Sequence, residues 1–130
     1  MAIEHTLLLA RAEIPALPPA TELVRASAHR DTEPARTWHA EDCGIRSNVW
    51  IHFRLDKFRT AEAEREFLVL VGDVLRRHDD DALLLAHGEL PVLRRVAGRV
   101  LVSTRSPWTA PDQLALLGLG VVLADLGGVV

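Results

Sequence analysis

The chain of 130 residues contains 15 basic and 18 acidic residues, which gives a net charge of −3. Because the basic residues do not gather in one segment, the composition argues against nucleic acid as a partner. With 48% apolar and 25% charged residues, the chain has the profile of a soluble globular protein rather than of a disordered one. We expect one domain over residues 1–130 that folds without a disulfide or a metal.

Cellular location is suggested by the cysteine content and by the lengths of the apolar runs. Cys43 is the only cysteine, which excludes an intramolecular disulfide and a cysteine-rich zinc site and fits a reducing compartment. The first residues lack the basic start of a signal peptide. The longest apolar runs, Phe67–Val71 and Gly118–Ala124, are far shorter than the roughly 20 residues that cross a bilayer. We therefore expect a cytoplasmic protein without membrane insertion.

The first third of the chain predicts a strand and then a short helix. Ile3–Ala10 has an apolar centre and alternating polar positions, which is typical of a strand with at least one covered face. Pro18 and Pro19 interrupt regular structure and form a lead-in to a helix at Thr21–His29, whose apolar residues have helical spacing.

The middle third predicts a long strand and the main helix. A short strand is expected around Thr37–His39, and the turn "EDCG" leads into a strand over Ile45–Asp56. A helix is expected over Thr60–His78, with acidic residues near its start and basic residues at its end, in the order that complements the helix dipole. Its apolar face is predicted to consist of Ala63, Phe67, Leu70, Val71 and Val74.

The last third reads mostly as strands. We expect strands at Ala82–His87, Val92–Val96 and Arg99–Ser103, the last two joined as a hairpin by the short turn "VAG". A helix over residues 111–117 begins at a proline and ends at a glycine. Val121–Leu123 either adds an edge strand or covers the core. Together these elements predict an α+β fold, with a mainly antiparallel sheet and the helix Thr60–His78 packed on one face.

No motif in the sequence specifies a catalytic or metal site. The histidines show no pair at zinc-binding spacing, and no nucleophile elbow, phosphate loop or dinucleotide fingerprint is present. A thiolate–imidazole pair of Cys43 with His39 and a meeting of Asp56 with Glu89 are conceivable but unsupported by spacing. We expect no cofactor and no metal.

A polar row stands out on the long strand. Trp50, His52, Arg54 and Asp56 alternate with apolar residues and share one face, about 7 Å apart along it. This row has three interpretations: an ordinary solvated face, a protein-binding surface rich in interface-prone residue types, or a catalytic pair with His52 as base and Asp56 orienting it.

Several segments resemble the Sit-type immunity proteins, small bacterial proteins that protect a cell from the swarm-inhibition toxins exchanged between kin on contact. These segments are "MAIEHTL", "FRLDKF" at Phe53–Phe58, the helix after it, and "GDVLRR...DDDALLLAHGELPVLRR...GRVLV" with Trp108 downstream. The resemblance implies a non-enzymatic cytoplasmic antitoxin that binds one cognate protein toxin. It does not assign toxin-contacting residues.

A physical mechanism for such a protein is steric and electrostatic blocking of the toxin. Acidic residues could fill a basic cleft, and charge would steer the encounter. The predicted contact residues are the polar row of Trp50, His52, Arg54 and Asp56 and the acidic residues Glu62, Glu66 and Glu89. Two alternatives remain open: a small hydrolase or isomerase that uses His52 and Asp56, and a structural subunit that forms homo-oligomers through an exposed edge such as Val121–Leu123. The oligomeric state is not predicted.

Overall fold

The structure is a computed structural model that describes residues 3–17 and 20–126. The helices and strands of this part of the chain are β1 (Ile3–Leu9), β2 (Val24–Arg30), α1 (Ala35–Glu41), β3 (Val49–Leu55), α2 (Thr60–Arg77), β4 (Ala82–Ala86), β5 (Leu90–Val96), β6 (Arg99–Ser103), α3 (Pro111–Leu116) and β7 (Val122–Ala124). None of the helices in these two ranges is long and apolar enough to span a membrane.

The strands in the described ranges form one seven-stranded sheet in the order β2-β3-β1-β4-β5-β6-β7. Neighbouring strands are antiparallel except for β6 and β7, which pair in parallel. The predicted α+β class and the mainly antiparallel sheet are therefore confirmed. The tract Val121–Leu123 overlaps β7, which lies at one edge of the sheet, and β2 forms the other edge.

The main core lies between one face of the sheet and α2. Phe53 of β3 and Phe67 of α2 meet edge to face with ring centroids 5.1 Å apart. Burial of each such ring contributes on the order of 2 kcal/mol, so this interface holds the helix on the sheet. The predicted apolar face of α2 is confirmed at Ala63, Phe67, Val71 and Val74, whereas Leu70 is only partly buried.

The predicted helix at Thr21–His29 is wrong, because most of this segment is the edge strand β2. Ala26 lies opposite Phe53 in the antiparallel pairing of β2 with β3. Val24 is buried and Arg25 is exposed, and this alternation continues along the strand with period two. Pairing with β3 satisfies the backbone groups on one side of β2 and outweighs the helical spacing of its few apolar residues. The predicted lead-in at Pro18 and Pro19 lies outside the described residues.

Two further expectations before α2 need correction. The predicted strand at Thr37–His39 is wrong, since these residues belong to α1, where His39 turns inward and is buried. The long strand is also shorter than Ile45–Asp56, because residues 45–48 form a loop and β3 begins at Val49. Buried contacts of Ile45 and Ser47 in this loop replace the sheet pairing that was expected there.

The C-terminal third agrees well with expectation. The hairpin of β5 and β6 is confirmed: Val96 pairs with Arg99, and Ala97 and Gly98 have φ angles of 50° and 80°. Positive φ at both central residues defines the tight turn that suits the twist of a hairpin. At the end of α3, a Cβ atom on Gly72 of α2 would lie 2.0 Å from the carbonyl oxygen of Leu117, so only glycine permits this approach.

Candidate partner-contact surface

The sheet face opposite α2 is divided into a covered half and an uncovered half. Over the covered half, Cys43 and Ile45 of the loop after α1 pack on Leu8, Leu83 and Leu85. The uncovered half comprises residues of β1, β2 and β3 that pair across the sheet in three rows. We call it the open face; its residues are Arg25, Arg54 and Glu4 in one row, Ser27, His52 and Thr6 in the next, and His29 and Trp50 in the third.

A buried polar cluster anchors the segment that covers the other half. The Nδ1 atom of His39 lies 2.6 Å from Oδ2 of Asp31, and the hydroxyl of Ser47 donates to the same oxygen. The backbone N–H of Ile45 donates to the carbonyl of His39. These bonds join the end of β2, α1 and the covering loop, so the boundary of the open face is fixed by the fold.

The aromatic row of the open face is held rigidly. The rings of His29 and Trp50 stack with centroids 4.3 Å apart and an angle of 23° between their planes. His29 Nε2 lies 2.9 Å from the hydroxyl oxygen of Ser27. Trp50 also packs against the covered cluster that contains Leu8. Trp50 therefore presents a preorganised apolar surface, which lowers the entropy cost of a contact.

The catalytic interpretation requires His52 and Asp56 to interact, but in the structure each side chain contacts other groups. The Nε2 atom of His52 lies 3.3 Å from a carboxylate oxygen of Glu4. The carboxylate of Asp56 accepts hydrogen bonds from the backbone N–H groups of Phe58, at 2.7 Å, and of Arg59, at 3.3 Å. Asp56 thus stabilises the turn between β3 and α2. The pair that would orient His52 as a base is not formed among the described residues.

Arg54 faces a second arginine. Arg25 lies directly opposite Arg54 in the pairing of β2 with β3. Both side chains are exposed and line a groove of about 350 Å³ together with Glu22, Leu23, Leu55 and Asp56. Within the described part of the chain, neither arginine makes a side-chain hydrogen bond or an ion pair. The part of this row that lies on β2 and β3 is therefore positively charged.

The predicted acidic contacts do not share this face. Glu62 and Glu66 lie on α2, on the other side of the sheet. Glu62 pairs with Arg59 at 2.5 Å, and this bonding holds the pKa of the Glu62 carboxyl below its usual value. Glu66 accepts a hydrogen bond of 2.7 Å from Thr21, and Glu89 is exposed in the turn between β4 and β5. The predicted contact residues thus fall on separate surfaces.

The open face also contains residues that the sequence analysis missed. Arg25, Ser27 and His29 were placed on a helix, although their alternation with Val24, Ala26 and Ala28 carried the signal of a strand. Phe58, at the turn after β3, has 86% of its surface exposed and was read only as part of a motif. An exposed aromatic ring next to a charged groove is typical of a protein-binding surface.

Metal and thiol chemistry find no support in the described residues. Across residues 3–17 and 20–126, no group of three or more histidine, cysteine, aspartate or glutamate side chains could hold a metal ion. Cys43 is buried, and burial, with a smaller effect of Asp42, raises the pKa of its thiol. A raised pKa disfavours the reactive thiolate.

The fold and this surface together define an α+β protein whose antiparallel sheet is covered by helices on one face and half open on the other. The family model described as SitI3-like matches residues 21–113, and the chain belongs to this family. Membership agrees with the resemblance to Sit-type immunity proteins and indicates an immunity protein. No curated protein and no solved structure matches the chain. The matched range includes β2 and β3, which contribute most of the open face.

Proposed function

We propose that this protein is a non-enzymatic immunity protein that binds one cognate bacterial toxin and neutralises it by direct contact. Family membership supports the immunity role, and it favours binding over catalysis. In this proposal residues 1–130 act as a single domain in the cytoplasm, without a cofactor, and the partner is a protein rather than a nucleic acid. The proposal extends the family assignment to a mechanism and a surface.

The open face is the proposed toxin-binding surface, and its composition is the observation that carries the proposal. Trp50, Arg54 and Arg25 are of the residue types most enriched at interface hot spots. They project from paired strands rather than from loops, so their positions are preset before the partner arrives. A large rigid aromatic ring at one end of the open face and unpaired guanidinium groups at the other end offer apolar contact and directional hydrogen bonds.

Neutralisation would follow from occlusion of the toxin. A sheet face of this kind can lie across a catalytic or receptor-binding cleft without large movement of its backbone, as is common in preorganised complexes. β3 also supplies core residues such as Phe53, so the side chains of the open face are attached to a well-packed layer. The bound complex should therefore be rigid, with affinity set chiefly by slow dissociation.

Survival of a sensitive host tests the immunity role. The toxin domain encoded beside this gene is expressed with this protein, without it, and with a non-cognate immunity protein, and viable cells are counted. Rescue by this protein alone supports the proposal. Absence of rescue by soluble, abundant protein contradicts it, and equal rescue by the non-cognate immunity protein contradicts specificity for one partner.

A further inference from the structure

The pairing of Arg25 with Arg54 is unfavourable in the isolated protein. Like charges directly opposite each other on one sheet face destabilise the pairing of their strands. Neither guanidinium group is compensated by a carboxylate among the described residues. An anion placed between the two guanidinium groups would offset this repulsion.

Acidic residues lie close by, but they are engaged elsewhere. Glu4 is the neighbour of Arg54 on β1, yet its carboxylate contacts His52. Glu22 lines the groove and lies 3.6 Å from Arg59. Asp56 also lines the groove, and its carboxylate accepts backbone N–H groups of the following turn. The groove is therefore locally positive at its two arginines, although the chain has a net charge of −3.

We propose that Arg25 and Arg54 together bind a carboxylate on an acidic protein segment, which under the proposed function is a segment of the cognate toxin. Guanidinium groups recognise carboxylates through paired N–H donors. The groove of about 350 Å³ that both arginines line has room for an aspartate or glutamate side chain. Phe58, exposed at the same end of β3, provides apolar contact for the residues that flank this carboxylate.

The surroundings favour a protein carboxylate over a polyphosphate chain. Among the described residues the groove is lined by two arginines, with Glu4, Glu22 and Asp56 near them, so it offers paired N–H donors for one carboxylate rather than an extended basic track for a polyphosphate. Nucleic-acid surfaces instead neutralise many phosphates in a row. The occupant that fits this charge pattern is a short acidic segment on a protein.

The first arm of the test measures the dissociation constant of the complex with the toxin domain by calorimetry. The variants are Arg25→Gln, Arg54→Gln and Arg54→Lys, and the control is Arg99→Gln, an exposed arginine at the start of β6. Each glutamine variant should weaken binding by about 10- to 100-fold, and lysine at position 54 should give a smaller loss because it lacks the paired donors. The control should bind like the wild type.

Thermal unfolding of the same variants separates binding from folding. Removing one charge of an opposed pair should leave the melting temperature unchanged or raise it by about 1–3 °C. A variant that is at least as stable as the wild type and binds more weakly supports the proposal. Weaker binding that is accompanied by a lower melting temperature for both glutamine variants overturns it, since the arginines would then act through the fold.

The second arm adds hexaglutamate, hexalysine or a single-stranded hexadeoxynucleotide to the protein in the absence of toxin. Binding is monitored by the shifts of the backbone amide signals in NMR spectra. Hexaglutamate should shift the amides of Arg25 and Arg54 at millimolar concentration, and Arg25→Gln should abolish the shift. An equal or stronger effect of the oligonucleotide or of hexalysine overturns the proposal. So does a dimer, seen by light scattering, that dissociates in Arg54→Gln, because the occupant would then be a second copy.

The two arms distinguish failure of this inference from failure of the proposed function. Tight toxin binding that is unchanged in both glutamine variants overturns the arginine site and leaves the immunity role intact. Hexaglutamate binding without any toxin binding overturns the immunity role and leaves the carboxylate site intact. Failure of both arms overturns both proposals.

Discussion

The two faces of the sheet use the same strands for different purposes. On the α2 side, Phe53 and its apolar neighbours are fully buried and hold the fold together. On the other side of β3, Trp50 and Arg54 alternate with these core residues and remain accessible. A single strand can therefore carry a core and a recognition surface at once, since successive side chains point to opposite faces.

The two faces also differ in how their charges are compensated. At α2, Arg59, which lies just before the helix, pairs with Glu62, and Arg77 pairs with Asp73, so these charges compensate one another. On the open face, Arg25 and Arg54 have no partner among the described residues. Uncompensated charge, rather than charge itself, is what marks the open face as a candidate for binding.

The largest expected effect on stability comes from a comparison of two phenylalanines, one in the core and one at the surface. Phe67→Ala removes a ring buried between α2 and the sheet and should lower the free energy of unfolding by about 3–5 kcal/mol. Phe58→Ala removes an exposed ring and should change it by less than about 0.5 kcal/mol. Urea denaturation checks both values, and equal losses would contradict the contrast between the buried α2 side and the exposed turn after β3.

A pH dependence should arise on the α2 side. His5 packs between Phe67 and Trp108, and burial, with the nearby His87, lowers the pKa of its imidazole from 6.5 to about 4. Below pH 6.5 the unfolded chain takes up a proton that the folded chain does not. Stability should therefore fall as the pH drops from about 6.5 to about 4, by on the order of 3 kcal/mol.

The His5→Gln variant isolates this contribution. Its unfolding free energy, measured by urea denaturation at intervals between pH 7 and pH 4, should fall less steeply with pH than that of the wild type. The comparison of slopes matters, because the substitution itself also changes packing. Identical slopes in the two proteins would contradict the assignment to His5.

The aromatic row offers a matched test of recognition. Trp50→Ala should weaken toxin binding by about 2 kcal/mol, which corresponds to roughly 30-fold, because tryptophan is among the residue types most enriched at interface hot spots. Trp38→Ala, on α1 and also partly exposed, serves as the control and should bind normally. Normal binding by Trp50→Ala would exclude the open face as the main contact.

The smallest expected effect concerns the acidic surface of α2. Replacing Glu62, Glu64 and Glu66 by lysine should slow association by about three- to tenfold at low salt and reduce its salt dependence, if the toxin presents a basic cleft. Because Glu66 also accepts a hydrogen bond from Thr21, a folding defect is controlled for by the double variant in which Glu62 and Glu64 are replaced by lysine and Glu66 is kept. Stopped-flow kinetics at low and high salt measure the rate, and unchanged kinetics would rule this surface out.

Much of the fold could be predicted because its signals are local. The alternation in β3, the amphipathic pattern of α2 and the glycine-containing turn after β5 depend on neighbouring residues alone. The edge strand β2 was missed because alanines at its inward positions give a weak strand signal, while Val24 and its neighbours also fit a helix. Pairing with β3 decided the outcome, and such pairing is a long-range property.

Only part of the candidate site could be predicted, because the rest depends on long-range strand pairing. Trp50, His52 and Arg54 could be assigned to one face from their spacing, but Arg25 and His29 join them only through the pairing of β2 with β3. Compensation of charge cannot be inferred from composition either. The separation of Glu62 and Glu66 from the open face follows from the side of the sheet on which α2 packs.

The most direct test of the open face uses the indole N–H signals of the three tryptophans, which lie in three different regions. Trp50 belongs to the open face, Trp38 to α1, and Trp108 is buried on the α2 side. The protein is labelled with ¹⁵N-tryptophan and titrated with unlabelled toxin domain. The proposal predicts that the Trp50 signal shifts while the Trp108 signal stays in place; formation of the complex with an unchanged Trp50 signal would contradict it.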